Sequence, residues 1–356
     1  MSDDHDRLLA RLRDAGFQPE EIERADADGR AATLAVEAAL GAPPRHTLTH
    51  VARESGLPNQ FLRELMQAVG RPNPAPREKV YSDEDVEFAK VVKRFLDTGM
   101  PREGLLEVGR VTGLSMAQTA AAVRRLAGDA LLQPGDSLDA AGLRYATAID
   151  HLVPLFARQL DYHFRAHLRD SIRGQLLTES ELAEGRVLGT QEVAVAFADL
   201  VDYTKLGEQL PPEDVGRIAG KLATLAVKAV VRPTQLVKTI GDAAMYVSPD
   251  PAALVKTCAR LAGMIESEGE DCPALRIGVA FGPATSRGGD WFGAPVNVAS
   301  RVTGVARPGQ LYATEEVQSR APEHPWKKKR KRSLRGVDGR VRLYALDDAR
   351  LAEVAG

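Results

Sequence analysis

The spacing of apolar residues divides the chain into a helical part and a mixed part. Up to residue 178, apolar residues recur at intervals of three and four, which predicts short amphipathic helices over residues 6–41 and 47–70 and longer ones over 81–132 and 145–178. From residue 192 onward, short apolar runs alternate with helical spacing. We therefore expect an all-α first half and a second half that mixes strands with helices.

Residues 47–70 place two short helices around a Gly-Leu-Pro turn, which is the layout of a helix-turn-helix DNA-binding motif. Charge argues against that function. Residues 45–130 hold 13 Lys and Arg against 11 Asp and Glu, and no basic stripe lies on the helix after Pro58. Proteins that read DNA usually carry a basic face, so we favour a helical scaffold without DNA contacts.

The order of elements in the second half is βαββαβ, followed by further elements. This order predicts an α+β fold with a ferredoxin-like antiparallel sheet and helices on one face. The predicted elements are strands over 192–200, 235–240, 243–248, 275–282 and 310–314, and helices over 204–231, 251–267 and 294–306.

Candidate chemistry begins where the first of these strands ends. The buried run that starts at Val193 ends in Asp199, with Asp202 three residues later, and a helical pattern follows. A carboxylate beside the free N–H groups of a helix start has the parts of a metal–phosphate site. An Asp at a strand end is more often a turn or cap residue, so this motif alone leaves both interpretations open.

Two later segments favour the functional interpretation. Gly241-Asp242 joins two strand-like runs, with Lys238 four residues before Asp242. Gly-Asp pairs are also ordinary hairpin turns. Farther along, GGDWFGAPVNVASR places Asp290, Asn297 and Arg301 on a loop and on the helix after it.

Together, FADLVDYT, VKTIGDAAM and GDWFGAPVNVASR resemble the catalytic domain of class III nucleotidyl cyclases, over Glu192 to about Leu346. The helical half further resembles the N-terminal region of mycobacterial-type soluble adenylyl cyclases, which inhibits the enzyme in a pH-dependent way. The resemblance implies an all-helical autoinhibitory domain over 1–144, a linker or transmission helix over 145–190, a class III catalytic domain over 191–347 and a tail over 348–356.

The same resemblance implies that Asp199 and Asp242 bridge two divalent ions, with a backbone carbonyl near Leu200 or Val201 assisting. Hard oxygen ligands and a nucleotide substrate suit Mg²⁺ or Mn²⁺. The terminal phosphates are expected on the amides of Val201, Asp202, Tyr203 and Thr204. The family's basic triphosphate ligand near the C-terminal hairpin has no clean match, and Arg335 or Arg340 is expected to replace it.

Base choice follows from hydrogen bonding. Lys238 donates and Asp290 accepts, which complements adenine and favours ATP over GTP. Arg301 can stabilise charge on the α-phosphate, and Asn297, one turn earlier, can orient the ribose. In the family these two residues come from the other subunit, so the resemblance implies a homodimer.

Composition is that of ordinary globular protein, with 44% hydrophobic and 27% charged residues. The net charge of −2 gives no overall basic field, so nucleic-acid binding is not expected. Cys258 and Cys272 are too few for a disulfide framework, and no signal sequence or transmembrane segment is recognisable. These features favour a cytoplasmic protein.

Regulation of the enzyme is expected to involve three histidines in the predicted linker helix: His151, His163 and His167. A zinc pair is disfavoured because no third ligand lies nearby. Histidine changes charge near neutrality. We therefore hypothesise that residues 1 to about 185 inhibit the enzyme at neutral or alkaline pH and release it from inhibition on acidification. Ordinary solvated positions are the alternative. The apolar faces of residues 81–177 are also compatible with a lipid or small effector.

The run Trp326 to Arg332 contains six consecutive cations. A solvated hairpin edge is the simpler interpretation, and a surface for anionic lipid or nucleic acid is the sharper one. For the whole chain we expect an adenylyl cyclase that makes 3′,5′-cyclic AMP and pyrophosphate from ATP. The alternatives are a guanylyl cyclase or a nucleotide-sensing regulator that binds DNA through its helical half.

Overall fold

The structure, a computed structural model, describes residues 3–71, 73–179, 190–269 and 272–355. Two structural units divide the chain, Met1–Ala183 and Glu184–Gly356. The first is all-helical and the second is α+β with the predicted βαββαβ order, so the predicted fold class is confirmed.

Helices of the first unit follow the predicted pattern. The long helix predicted over 145–178 begins earlier, at Leu138, so the boundary placed at residues 144 and 145 falls inside it. At the start of the helix that begins at Asp83, Ser82 N donates to Asp85 Oδ2 at 2.8 Å, which is one half of a capping box. The helices are α1 Asp3–Asp14, α2 Pro19–Ala27, α3 Ala31–Leu40, α4 Leu48–Ser55, α5 Asn59–Ala68, α6 Asp83–Asp97, α7 Arg102–Leu131 and α8 Leu138–Glu179.

Two small cores hold these helices. One is built by α1, α2 and α3, with Leu8 and Leu12 fully buried, and Leu143 of α8 packs against it. The other is built by α4, α5 and α6 around Phe61 and Leu65. A polar contact also ties α8 to α1, since Arg11 Nη2 donates to Asp150 Oδ1 at 2.9 Å.

An eight-stranded sheet organises the second unit. Its strand order is β2-β3-β1-β4-β6-β10-β7, and β5 pairs with β4. All neighbours are antiparallel except β4 and β6, which are parallel. The elements are β1 Thr190–Leu200, α9 Tyr203–Gln209, α10 Pro212–Lys228, β2 Gln235–Ile240, β3 Ala243–Ser248, α11 Pro251–Ser267, β4 Leu275–Arg287, β5 Asp290–Gly293, α12 Ala294–Val305, β6 Gln310–Thr314, α13 Glu315–Arg320, β7 Lys327–Lys328, β8 Arg332–Ser333, β9 Arg340–Val341, β10 Leu343–Leu346 and α14 Asp348–Ala355.

Two details of the prediction are wrong. The helix predicted over 204–231 is two helices, because Pro211 and Pro212 cannot continue α9 and instead start α10. Helices also cover both faces of the sheet. Alternate residues of β1 point to opposite faces, so Ala196 belongs to the core of α10 and α11, whereas Val195 belongs to a core with Ala299 of α12.

A close approach fixes α12, the helix that carries Asn297 and Arg301. A Cβ atom at Gly278 of β4 would overlap Thr303 N and Ala299 O, so only glycine lets α12 lie this near the sheet. Thr303 Oγ1 also donates to Phe197 O of β1 at 3.2 Å. Strand and helix backbones therefore set the position of both side chains.

We expect Gly278→Ala to destabilise the second unit by about 2 kcal/mol or more, because the added methyl group forces α12 away from β4. Gly282→Ala in the same strand is the matched control, since its Cβ would meet Pro295 at an ordinary 3.7 Å. Both tryptophans of the chain, Trp291 and Trp326, lie in this unit, so tryptophan fluorescence during thermal unfolding reports on it. Equal midpoints for the two variants would contradict the prediction.

Candidate functional site

The carboxylates of Asp199 and Asp242 come together because β1 pairs with strands on both sides. Asp199 is opposite Ala243 of β3, which places the neighbouring Asp242 beside it. Leu200 N donates to Asp242 O at 3.0 Å and so fixes the Gly241-Asp242 turn against the end of β1. The two acidic residues thus lie at one end of the sheet, Asp199 on β1 and Asp242 in the tight turn between β2 and β3.

Arg276 is the third member of this cluster. It lies opposite Asp199 in β4, and its Nε donates to Asp199 Oδ2 at 2.6 Å. The side chain of Asp199 is 19% exposed and that of Arg276 is 36% exposed, so this ion pair is only partly screened by water. Arg276 supplies positive charge at the point where the carboxylates meet.

Burial raises the pKa of Asp242, and the negative charge of Asp199 raises it further, while Arg276 acts in the opposite direction. Burial also raises the pKa of the Tyr203 hydroxyl, to which the charge of Asp242 adds. Both shifts indicate a site where negative charge is costly. A bound cation would relieve that cost.

The donor set fits a hard divalent cation. Carboxylate oxygens and backbone carbonyls are the ligands that Mg²⁺ and Mn²⁺ prefer. Within the parts of the chain that the structure describes, no group of three or more His, Cys, Asp and Glu side chains forms a metal site. The pair of carboxylates therefore needs further oxygen ligands, such as water and substrate phosphates, which is how Mg²⁺ commonly binds with nucleotides.

One of the four amides in the predicted phosphate-binding segment after β1 already has a hydrogen-bond partner within the chain. Val201 N already donates to Ala274 O at 2.9 Å, so this amide is not available. Asp202 adopts a left-handed conformation, with φ 59°, and precedes α9. Tyr203 anchors the segment, because its hydroxyl donates to Val215 O at 2.8 Å. Among the described residues, the N–H groups of Asp202, Tyr203 and Thr204 donate to no such competing acceptor.

Lys238 and Asp290, the pair predicted to recognise the base, meet each other in the structure. A bulge in β2 between Leu236 and Lys238 shifts the register against β3 and re-aims the lysine. Lys238 Nζ then forms an ion pair with Asp290 Oδ2, and Trp291 N donates to Asp290 Oδ1 at 2.9 Å. A donor and an acceptor are thus held side by side.

Asn297 and Arg301 lie one turn apart on α12, and both are exposed. Neither forms a hydrogen bond or an ion pair with any residue in the described part of the chain. They differ in this from Lys238, Asp290 and Asp199, each of which is partnered within its own chain. Arg335 and Arg340, the expected replacements for the family's basic residue, are also exposed. Arg335 precedes β9, and Arg340 lies on it.

The predicted regulatory histidines His151, His163 and His167 are exposed on α8, and His163 Nε2 lies 3.5 Å from Gln159 Nε2. The sequence did not point to His5. Its Nδ1 lies 3.0 Å from Asp139 Oδ2 of α8, and its Nε2 lies 3.4 Å from Asp26 Oδ1 of α2.

Family models match both units. Residues 2–172 match the adenylate cyclase regulatory domain, and residues 187–348 match the adenylate and guanylate cyclase catalytic domain. Within the described residues, no helix is both long enough and apolar enough to cross a lipid bilayer.

Individual relatives extend over most of the chain. It is 36% identical over 348 residues to the pH-sensitive adenylate cyclase MT1302 of Mycobacterium tuberculosis (strain CDC 1551 / Oshkosh), which is 95% of this chain and 86% of that protein. An adenylate cyclase of Streptomyces coelicolor (strain ATCC BAA-471 / A3(2) / M145) is 29% identical over 274 residues, 75% of this chain and 69% of its own. Among solved structures, the adenylyl cyclase CyaB from P. aeruginosa matches 44% of this chain and 93% of its own, with 19% identity and a TM-score of 0.38.

Proposed function

Because this chain belongs to the family of adenylate cyclases that join a regulatory domain to a class III catalytic domain, we propose that it converts ATP to 3′,5′-cyclic AMP and pyrophosphate. One observation carries the proposal most directly. Asp199, Asp242 and Arg276 form a single charged cluster at the end of β1, while the donor–acceptor pair of Lys238 and Asp290 lies in the same unit.

Cyclisation joins the ribose 3′-oxygen to the α-phosphorus and breaks the bond to pyrophosphate, while the 3′-hydroxyl loses its proton. Two divalent ions held by Asp199 and Asp242, with the carbonyl of Leu200, would supply charge neutralisation and a lower pKa for that hydroxyl. The carboxylates lie in a partly buried site, where electrostatic interactions are stronger than in water.

Arg276 is proposed to bind the phosphates. In the structure its guanidinium neutralises Asp199. If a metal ion neutralised Asp199 instead, Arg276 would lie beside the cluster with donors that match phosphate oxygens. The amides of Asp202, Tyr203 and Thr204 are proposed to bind the terminal phosphates, with Arg335 or Arg340 completing the set.

The base is proposed to insert between Lys238 and Asp290. Adenine presents a ring nitrogen that accepts and an amine that donates, so Lys238 Nζ and Asp290 Oδ2 would exchange their mutual ion pair for these two contacts. Guanine presents the reverse pattern and would leave both charged groups without partners. Such unpaired groups discriminate strongly against the wrong ligand, which favours ATP over GTP.

Asn297 and Arg301 are proposed to act on the nucleotide of a second copy of the chain. Both are exposed and unpartnered within the described residues of their own chain, as expected of groups that complete a site across an interface. Arg301 would stabilise charge that develops on the α-phosphate, and Asn297 would orient the ribose. A symmetric homodimer then forms two equivalent sites.

Mixing two inactive variants tests this arrangement. We expect Asp199→Ala and Arg301→Ala each to lose nearly all cyclic AMP formation from ATP with Mn²⁺. After mixing and subunit exchange, half of the dimers would be mixed dimers, and each of these would carry one intact site. Activity should therefore return to about a quarter of that of the unmutated protein.

The matched control mixes Asp199→Ala with Asp242→Ala, which lie on the same side of the site, and no activity should return. Recovery in this control, or none in the first mixture, would contradict the shared site. Product from GTP but not from ATP would contradict the roles of Lys238 and Asp290.

Regulation by pH is proposed to act through the first unit, which matches the regulatory domain family, and one relative is named as a pH-sensitive adenylate cyclase. His163 and His167 lie one turn apart on α8, so protonation of both would place like charges next to each other. His5 would respond oppositely, because its protonated ring is attracted to Asp26 and Asp139. The proposal is that acidification releases inhibition.

We expect cyclase activity of the full chain to rise as pH falls from about 8 to 6, and the double variant His163→Gln/His167→Gln to flatten this profile. His5→Gln is the comparison variant, since it removes a histidine that contacts α8 from α1. A profile unchanged in the double variant would place the switch outside these two residues, and flattening by His5→Gln alone would move it to the contact with Asp139.

A further inference from the structure

Residues 327–342 form a charged surface, which we call the basic edge. Of these residues, only Arg335 and Arg340 are given a role in the proposed reaction. The basic edge contains nine Lys and Arg residues and one Asp, a net charge of +8. The complete chain carries −2, so the remaining residues together carry −10. Charge is therefore strongly segregated along the chain.

The basic edge is built into the fold. Its first part is β7, an edge strand in which Lys328 pairs with Tyr344 of β10. Its second part is the β8–β9 ribbon, in which Arg332 pairs with Val341. Leu334 between these strands is buried in a core with Tyr312 and Leu343. Four of the nine cations, Lys327, Lys328, Arg332 and Arg340, thus lie on strands, and the others lie in the short connections between strands.

Most of these cations lack a counter-charge. An ion pair does form nearby, between Arg350 and Asp347. In contrast, several exposed cations of the basic edge form no ion pair with any described residue: Lys327, Lys328, Arg330, Lys331 and Arg332. Burial and the nearby positive charges of Lys327 and Arg307 lower the pKa of Lys329, which shows that positive charges crowd one another here.

Protection of the sheet edge does not account for this amount of charge. Lysines on an edge strand do hinder pairing with another chain. However, β7 is only two residues long, and the cations continue beyond it into the β8–β9 ribbon. Mutual repulsion of so many like charges is costly unless an anionic partner offsets it.

We propose that the basic edge docks the protein onto an anionic lipid bilayer surface. Clusters of four to eight Lys and Arg residues bind such surfaces, because each contributes about 1 kcal/mol near anionic headgroups. The opposite sign of the remaining chain would orient the molecule with this edge toward the bilayer. The bound protein would be peripheral, held by charge and sensitive to salt.

Nucleic acid is a poorer fit to the same charges. Proteins that bind single strands stack bases on aromatic side chains, and residues 327–342 contain no aromatic residue. The neighbouring Trp326 is half-buried, with Nε1 donating to Ala321 O at 2.7 Å. Residues 327–342 contain no helix that could enter a major groove, and the β8–β9 ribbon has only two residues in each strand, which is too short to follow a groove.

Vesicle sedimentation of the full chain tests the proposal. We expect binding to vesicles of phosphatidylcholine mixed with phosphatidylserine, no binding to phosphatidylcholine alone, and release at high salt. The triple variant Lys328→Ser/Arg330→Ser/Lys331→Ser should bind about a hundredfold more weakly, given the contribution of each cation. It leaves Arg335 and Arg340 in place, so its cyclase activity without vesicles should be retained and shows that it folds.

The matched control is Arg124→Ser/Arg125→Ser/Lys228→Ser, which removes three exposed cations outside the basic edge. It should bind the mixed vesicles as the unmutated protein does. Equal losses in the two triple variants, or equal binding to both kinds of vesicle, would overturn the proposal. Tighter binding to duplex DNA than to mixed vesicles at physiological salt would assign the surface to nucleic acid instead.

Discussion

The ion pair between Asp199 and Arg276 is the contact on which the proposed active site depends. It exists because β1 lies between β3 and β4, so that Asp199 is opposite Ala243, the neighbour of Asp242, on one side and opposite Arg276 on the other. Two partly buried carboxylates next to each other repel, and burial penalises each charge further. Arg276 offsets part of that cost, which lets the fold keep both acids in place without a bound ion.

The same principle explains the pairing of Lys238 with Asp290. In the structure each charged group is held by the other. In the proposed mode of binding, adenine would replace this ion pair with contacts to both groups, so selectivity would come from the groups that a wrong ligand leaves unpaired. Asn297 and Arg301 follow a different rule, since they depend on the backbone contact between Gly278 and α12 and face outward.

Much of this could be predicted from sequence because the information is local. Asp199 ends a recognisable strand, Asp242 lies in a Gly-Asp turn, and Pro211-Pro212 marks a helix break that the prediction over 204–231 should have used. Arg276 could not be predicted, because its position opposite Asp199 depends on a strand register between residues far apart in the chain. His5 was missed for the same reason, since its contact with Asp139 links the two ends of the helical unit.

Charge placement links the site to the rest of the catalytic unit. The sheet carries a cluster of partly buried charges at the end of β1 and an exposed, like-charged surface at its β7 edge. In the cluster at the end of β1, opposite charges are paired with each other. At the β7 edge, like charges lie close together without partners. Both arrangements carry a free-energy cost that a ligand would relieve, and this cost is the physical argument for binding in each case.

Binding of Mn²⁺ to the full chain, measured by electron paramagnetic resonance in the presence of a non-cyclising ATP analogue, tests most directly whether Asp199 and Asp242 hold the metal ions. Two ions should bind per site in the unmutated protein. Asp199→Asn should lose this binding. In a parallel measurement without nucleotide, Arg276→Gln, which removes the competing cation, should bind Mn²⁺ at least as tightly as the unmutated protein does. Undiminished binding of two ions by Asp199→Asn would contradict the proposed site.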